Sequence, residues 1–288
     1  MKKWYRLKNA IREHKGESTI IATVLLMAIT LFCMSLTLNF VQQNLARHDG
    51  ENDFTLAKTF MKNIGLSVDD VAWHPGQSDT IQYSSQSAEI HLRPRLIHYK
   101  IEVWKVGDHG YSTLKEYDTA VLFYDLPLAK YSLDNTYFED ILPSTMTQLI
   151  QNSTEAPITR VFAVQRPAIT DENDYIKVGV ASLFRSVQFQ INADGVTTNY
   201  LKIYLANMTQ GALTTANPRY ITLTGTKVDA SVINNVEHLR ITISFPNSAI
   251  GYGSSFFNFP VTTQTIDFPV SGTEVELYIG SVQVGFLK

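Results

Sequence analysis

Residues 15–38 read KGESTIIATVLLMAITLFCMSLTL, and the order of charge and apolarity in this stretch decides how the chain is organised. Lys15 and Glu17 are the last charges before a gap that ends only at Arg47. Inside the gap lies the run Ile20–Leu38, 19 residues interrupted only by Thr23, Thr30, Ser35 and Thr37. At about 1.5 Å rise per residue, a helix of that length crosses roughly 28 Å, close to the hydrocarbon thickness of a bilayer. Upstream, residues 1–16 carry Lys2, Lys3, Arg6, Lys8, Arg12 and Lys15 against the single acid Glu13. Basic flanks stay on the cytoplasmic side, so the expectation is one membrane span at 20–38 with everything after it outside.

Secretory signals have a shorter apolar region followed by a small-x-small cleavage site. Here the run is longer, and Asn39-Phe-Val-Gln-Gln-Asn44 contains no Ala-x-Ala. The unusual feature precedes the run: Lys15-Gly16-Glu17-Ser18 stands directly before Thr19-Ile20-Ile21-Ala22-Thr23-Val24-Leu25-Leu26. That junction resembles the class III signal peptide of type IV prepilins, the archaeal ones above all, and the resemblance is confined to about residues 12–45. It implies cleavage between Gly16 and Glu17 by a membrane-embedded prepilin peptidase, with the apolar helix left on the mature protein. It further implies other pilin-like subunits as partners, met through that helix. The chain departs from the family at Thr19, where many archaeal pilins have Pro, and in lacking the early helix Glu of bacterial pilins. A plain alternative is an uncleaved signal anchor that carries Lys-Gly-Glu before its helix.

The small and hydroxylated residues Ser18, Thr19, Ala22, Thr23, Ala28, Thr30, Ser35 and Thr37 allow close helix approach, while Leu, Ile, Val and Met suit lipid or other helices equally. The chain has 288 residues and a formal net charge of −3. Because the basic excess sits in the first sixteen residues, the exported part is acidic, which argues against a nucleic-acid surface. The single cysteine, Cys33, falls inside the apolar run, which excludes disulfides, thiolate metal sites and an exported cysteine nucleophile.

After the span, Asn52 or Asp53 is expected to cap a second helical stretch with Phe54, Leu56, Ala57, Phe60, Met61 and Ile64 at helical spacing, ending at Gly65, with Gly50 as a break. The helical region is therefore 17–65. Beyond it the period becomes two. Ile97, Tyr99, Ile101 and Val103 alternate with polar residues, as do Val187, Phe189 and Ile191; Leu201, Ile203 and Leu205; Leu239, Ile241, Ile243 and Phe245; and Val275, Leu277 and Ile279. Ala193-Asp194-Gly195 marks a turn, and a phase slip after Gly280-Ser281 suggests a bulge. About ten to twelve strands fit this pattern, and the fold class expected is mainly β with one long N-terminal helix, its exported region an antiparallel β-sandwich. Leu142–Pro157 reads as a linker between a smaller β region at 66–142 and a larger one at 158–288, with a short helical patch at Ser144–Gln151.

Chemistry-bearing patterns are sparse. The seven histidines (His14, His48, His74, His91, His98, His109 and His238) show no i, i+4 pair and no His-Glu-x-x-His. His91 and His98 are expected on neighbouring strands, facing solvent. Asp171-Glu-Asn-Asp174 is an acidic turn, with Ser182 where a calcium loop needs an acid. No Gly-x-Ser-x-Gly marks an activated serine. Gly251–Phe259 is the most aromatic segment and reads as a core-closing cluster or a contact patch. Asn152-Ser-Thr154 and Asn207-Met-Thr209 are glycosylation acceptors. These features lead to the expectation of a non-enzymatic surface subunit that needs no cofactor or metal. The alternative is a signal-anchored extracellular sandwich that binds or hydrolyses a ligand such as a glycan.

Overall fold

The computed structural model describes residues 2–287 apart from 84–87, 129–130, 166–174, 194–195, 213–218 and 269–272, with side chains described from residue 21 onward, 193–197 excepted. The chain forms two compact units, Met1–Asn52 and Asp53–Lys288. Helix α1 (Lys2–Ala72) supplies the described residues of the first unit and the opening of the second. In chain order there follow β1 (Ser78–Gln82), β2 (Glu89–Lys105), β3 (Ser112–Pro127), β4 (Phe138–Leu142), β5 (Ile150–Asn152) and β6 (Thr159–Val164). Then come β7 (Tyr175–Ser182), β8 (Phe184–Ala193), β9 (Val196–Gln210), β10 (Tyr220–Ser244), the short helix α2 (Ser254–Phe257), β11 (Thr263–Asp267) and β12 (Thr273–Leu287). The fold is mainly β with one long N-terminal helix, as the periodicity predicts.

All twelve strands join one hydrogen-bonded sheet in the order β4-β6-β7-β3-β2-β10-β12-β9-β8-β5, with β1 and β11 also paired to β10. This corrects the expected division into 66–142 and 158–288: β3 pairs with β7, β2 with β10 and β4 with β6, so the two stretches interleave. The supposed linker belongs to the fold as well, since Leu149 and Ile150 are buried and Ile150–Asn152 forms β5. No helix forms at Ser144–Gln151. Two pairs are parallel, β9 with β12 and β5 with β8, where an antiparallel sheet is expected. The first follows from topology: β12 inserts between β9 and β10, and running antiparallel to β10 makes it parallel to β9.

Two apolar cores occupy opposite faces of the sheet. The first gathers Tyr99, Ile101, Phe123, Phe162, Ile203, Ile241 and Leu277 with Tyr252, Phe256 and Phe257 of the segment around α2. The aromatic stretch at 251–259 therefore closes a core. The second core surrounds the last turns of α1, whose Phe54, Ala57, Met61, Ile64, Val68 and Val71 meet Leu122, Tyr124, Val178, Met208 and Val284. These six helix positions recur every three or four residues, the spacing that puts them on one face. Leu56, expected to share that face, is exposed.

Gly65 does not end the helix, which continues to Ala72 and also passes Gly50 and Asn52 without interruption. The glycine serves close approach: a Cβ there would lie 2.9 Å from Val161 Cγ2, and Thr159 Oγ1 donates to the Gly65 carbonyl at 2.9 Å. Nor does β12 carry a bulge at Gly280-Ser281, because its pairing with β9 runs unbroken from Thr273 to Val284. The irregularity lies on β10, between Gly225 and Lys227. The phase slip has another cause. Val275, Leu277 and Ile279 face the first core, and Val282, Val284 and Phe286 face the second. One straight strand thus changes which of its faces is buried.

Candidate functional site

The most exposed apolar surface lies on the N-terminal part of α1. Residues 21–49 are all exposed, among them Val24, Leu25, Leu26, Met27, Leu31, Phe32, Met34 and Leu38. The segment is long and apolar enough to cross a membrane. Several of its polar side chains turn back onto their own helix. Thr30 Oγ1 donates to the Met27 carbonyl (2.8 Å), Thr37 Oγ1 to Cys33 (2.8 Å) and Asn39 Nδ2 to Ser35 (2.9 Å). A hydroxyl satisfied in this way exposes mostly carbon, so the helix surface is compatible with hydrocarbon despite its threonines. Gly16 and Glu17 lie within the helical backbone of α1, ahead of the residues whose side chains are described.

The two acceptor asparagines differ sharply in setting. Asn152 is exposed at the end of β5, beside the turn that carries Ser153 and Thr154. Asn207 is half-buried within β9, opposite Ser281 of β12, and its Oδ1 is buried without a hydrogen-bond partner. Sequence motifs treat the two alike, because a sequon carries no information on burial.

Two buried cations are not among the candidate residues that the sequence motifs offer. Arg160 on β6 is fully buried; its Nε meets Asp140 Oδ1 at 2.7 Å, and its Nη1 and Nη2 donate to the Phe257 and Asn258 carbonyls. Phe138, Phe162 and Phe259 surround the guanidinium at 4.6–5.5 Å. Every strong interaction of this arginine is thus spent on tying β6 to β4 and to the α2 segment. A cation inside the run Thr159-Arg-Val-Phe-Ala-Val164 was the available signal.

Lys177 on β7 sits directly across from Asp125 on β3, Nζ to Oδ2 at 2.5 Å, with both side chains almost wholly buried. His91 on β2 approaches the same carboxylate, Nδ1 to Oδ2 at 3.6 Å, and packs on Phe123. Burial holds the Lys177 amine below its ordinary pKa, opposed by Asp125, and pushes the His91 imidazole down to about 4. His91 is therefore not the solvent-facing residue the sequence suggests. His91 and His98 also share one strand rather than lying on neighbours, and His98 pairs with Asp118 at 2.8 Å. His238 pairs with Asp267 at 2.7 Å.

Among the described residues no three His, Cys, Asp or Glu side chains are placed to hold a metal ion. The acidic turn 171–174 lies outside the described residues, as do Asp194 and Gly195 of the expected turn. One surface groove is lined by Gln188, Phe189, Asn199, Tyr200, Asp267 and Phe268. A second runs past Lys105, Asp108, Thr113 and Asn235. Each offers a single carboxylate, and neither brings two together for acid–base work. Comparison with protein-family models, with curated proteins and with solved structures finds no match to this chain.

Proposed function

We propose that the protein is a pilin-like structural subunit of the cell surface, anchored in the membrane by the N-terminal part of α1 with its β-rich unit outside. The observation that carries this reading is the double life of one helix. Its residues 21–49 expose a long apolar surface, and its last turns form a wall of the second core. The Lys15-Gly16-Glu17 junction supports release of the leader by a prepilin peptidase, after which other copies or related subunits meet the apolar helix.

N-terminal sequencing of the membrane-extracted protein tests the reading, with Glu17 expected as the first residue. Replacing Gly16 by Leu should leave an anchored precursor longer by the leader, since glycine alone brings no side chain to the scissile site. Recovery of an intact Met1 from the native membrane overturns it.

A second reading, an anchored glycan-binding module, is favoured by one observation. Phe189 and Tyr200 stack at 5.1 Å and 6° in the groove that also holds Gln188, Gln190 and Asn199. Aromatic faces with amides alongside suit a sugar ring. Loss of binding to immobilised cell-surface polysaccharide on Tyr200→Ala would support that module, and equal retention of both proteins would remove it.

A further inference from the structure

Among the ion pairs of the described residues, Asp125 and Lys177 form one in which both side chains are almost wholly buried. Side-chain exposure is 2% for the lysine and 5% for the aspartate, and the cation lies 5.6 Å from the Phe123 ring and 5.7 Å from that of Tyr175. Asp125 Oδ1 is buried with no hydrogen-bond partner, and so is His91 Nε2. A charged carboxylate with one oxygen unsatisfied in such a place is expensive, and so is a desolvated ammonium beside it. Moving one proton from Nζ to the carboxylate removes both charges, and burial favours the uncharged form of the amine. Asp125 and Glu89 oppose this effect on the lysine, and the nearby Arg93 charge adds to it. An uncharged lysine amine is a nucleophile, and an uncharged carboxyl is an acylating partner.

From this geometry we propose that Lys177 and Asp125 are the site of an intramolecular isopeptide bond that staples β7 to β3. The Nζ lone pair attacks Cγ of the protonated carboxyl and forms the C–N bond. One amine proton passes to the departing hydroxyl, the C–O bond breaks, and one water leaves. Amine plus carboxylic acid gives amide plus water, with no oxidant, reductant or cofactor. His91 Nδ1, 3.6 Å from Oδ2, is placed to carry the proton from the amine to the leaving oxygen. The register already sets the two residues opposite one another, so the bond demands no rearrangement of strands. The product sheds the orphaned charge, and a dry site protects the amide from hydrolysis. The bond would close the chain across 126–176, fastening β4, β5 and β6 into the sheet by a covalent link as a disulfide would, in a chain whose only cysteine is Cys33.

The test is mass spectrometry of the full-length protein purified in detergent and digested with trypsin after denaturation. The expected result is a branched peptide in which residues 116–130 are joined to 161–185, lighter than the two together by one water and uncut after Lys177. Lys177→Ala and Asp125→Ala should each return the 116–130 peptide unlinked. Cleavage after Lys177 in the wild-type chain, with 116–130 at its own mass, overturns the proposal and leaves an ordinary buried ion pair. The wild-type digest decides the matter even if neither variant folds, and its outcome is independent of leader cleavage.

Discussion

The last carbonyl of helix α1 presses on the backbone of Gly280: a Cβ built on that glycine would lie 2.4 Å from the Ala72 oxygen. One residue earlier in the helix the same squeeze recurs, with the Val71 oxygen 2.1 Å from a Cβ on Gly225. The helix end and the centre of the sheet are thus as close as backbone allows. Gly280→Ala should destabilise the head by about 1–3 kcal/mol, the usual cost of forcing extra volume into a packed site. Chemical denaturation of the purified protein, followed by circular dichroism, measures it. Unchanged stability would mean that the helix end is not seated there.

Met61 is fully buried, and Leu56, five residues earlier on the same helix, is 58% exposed. Met61→Ala should therefore cost about 2–5 kcal/mol through lost burial and the cavity left behind. Leu56→Ala should change stability by less than about 0.5 kcal/mol, as surface substitutions do. The contrast tests whether the face read from the contacts is the one that holds the helix to the sheet.

His91 gives the head a dependence on acid. Its folded pKa is about 4 against 6.5 for the free side chain, so the unfolded chain binds the extra proton first. Stability from this group is present in full above the unfolded value, falls as pH drops through that window, and is lost below the folded value. The shift corresponds to about 3 kcal/mol at most. Asp125 on β3, Lys177 on β7, and Glu89 and Arg93 on its own strand all act on it. Denaturation midpoints between pH 7 and pH 4 should fall less steeply for His91→Gln than for the wild type. Parallel curves would argue that another group dominates.

In a host that glycosylates Asn-x-Ser/Thr, Asn152→Gln should abolish a gel shift that Asn207→Gln leaves intact. Asn152 stands exposed beside a turn, while Asn207 is held in a paired strand opposite Ser281. A shift lost only with Asn207 would place modification before folding.

The alternation at 97–103, 201–205, 239–245 and 275–279 was enough to locate strands, because one face of each is buried and the other is not. Strand order was not legible, since alternation carries no record of which partner lies alongside or in which direction. Gly65 misled for a physical reason: glycine marks both helix ends and close contacts, and only Val161 and Thr159 reveal which applies. Lys177 and Arg160 were visible as charges inside apolar runs, in strands buried on both faces. What the sequence withheld was the position of Asp125 and Asp140, each distant in the chain and brought opposite by pairing.

The insertion of β12 between β9 and β10 also dictates a timetable. This strand follows every other described strand in the chain, so β9 and β10 are made with open edges before the strand that fills the gap between them. Pairings so distant in sequence form slowly, and unpaired edges invite contact with other chains. Helix α1, by contrast, precedes all of these strands. The strands on either side of that gap, β4 to β10 on one side and β9 to β5 on the other, gain their hydrogen-bonded connection only when β12 fills it.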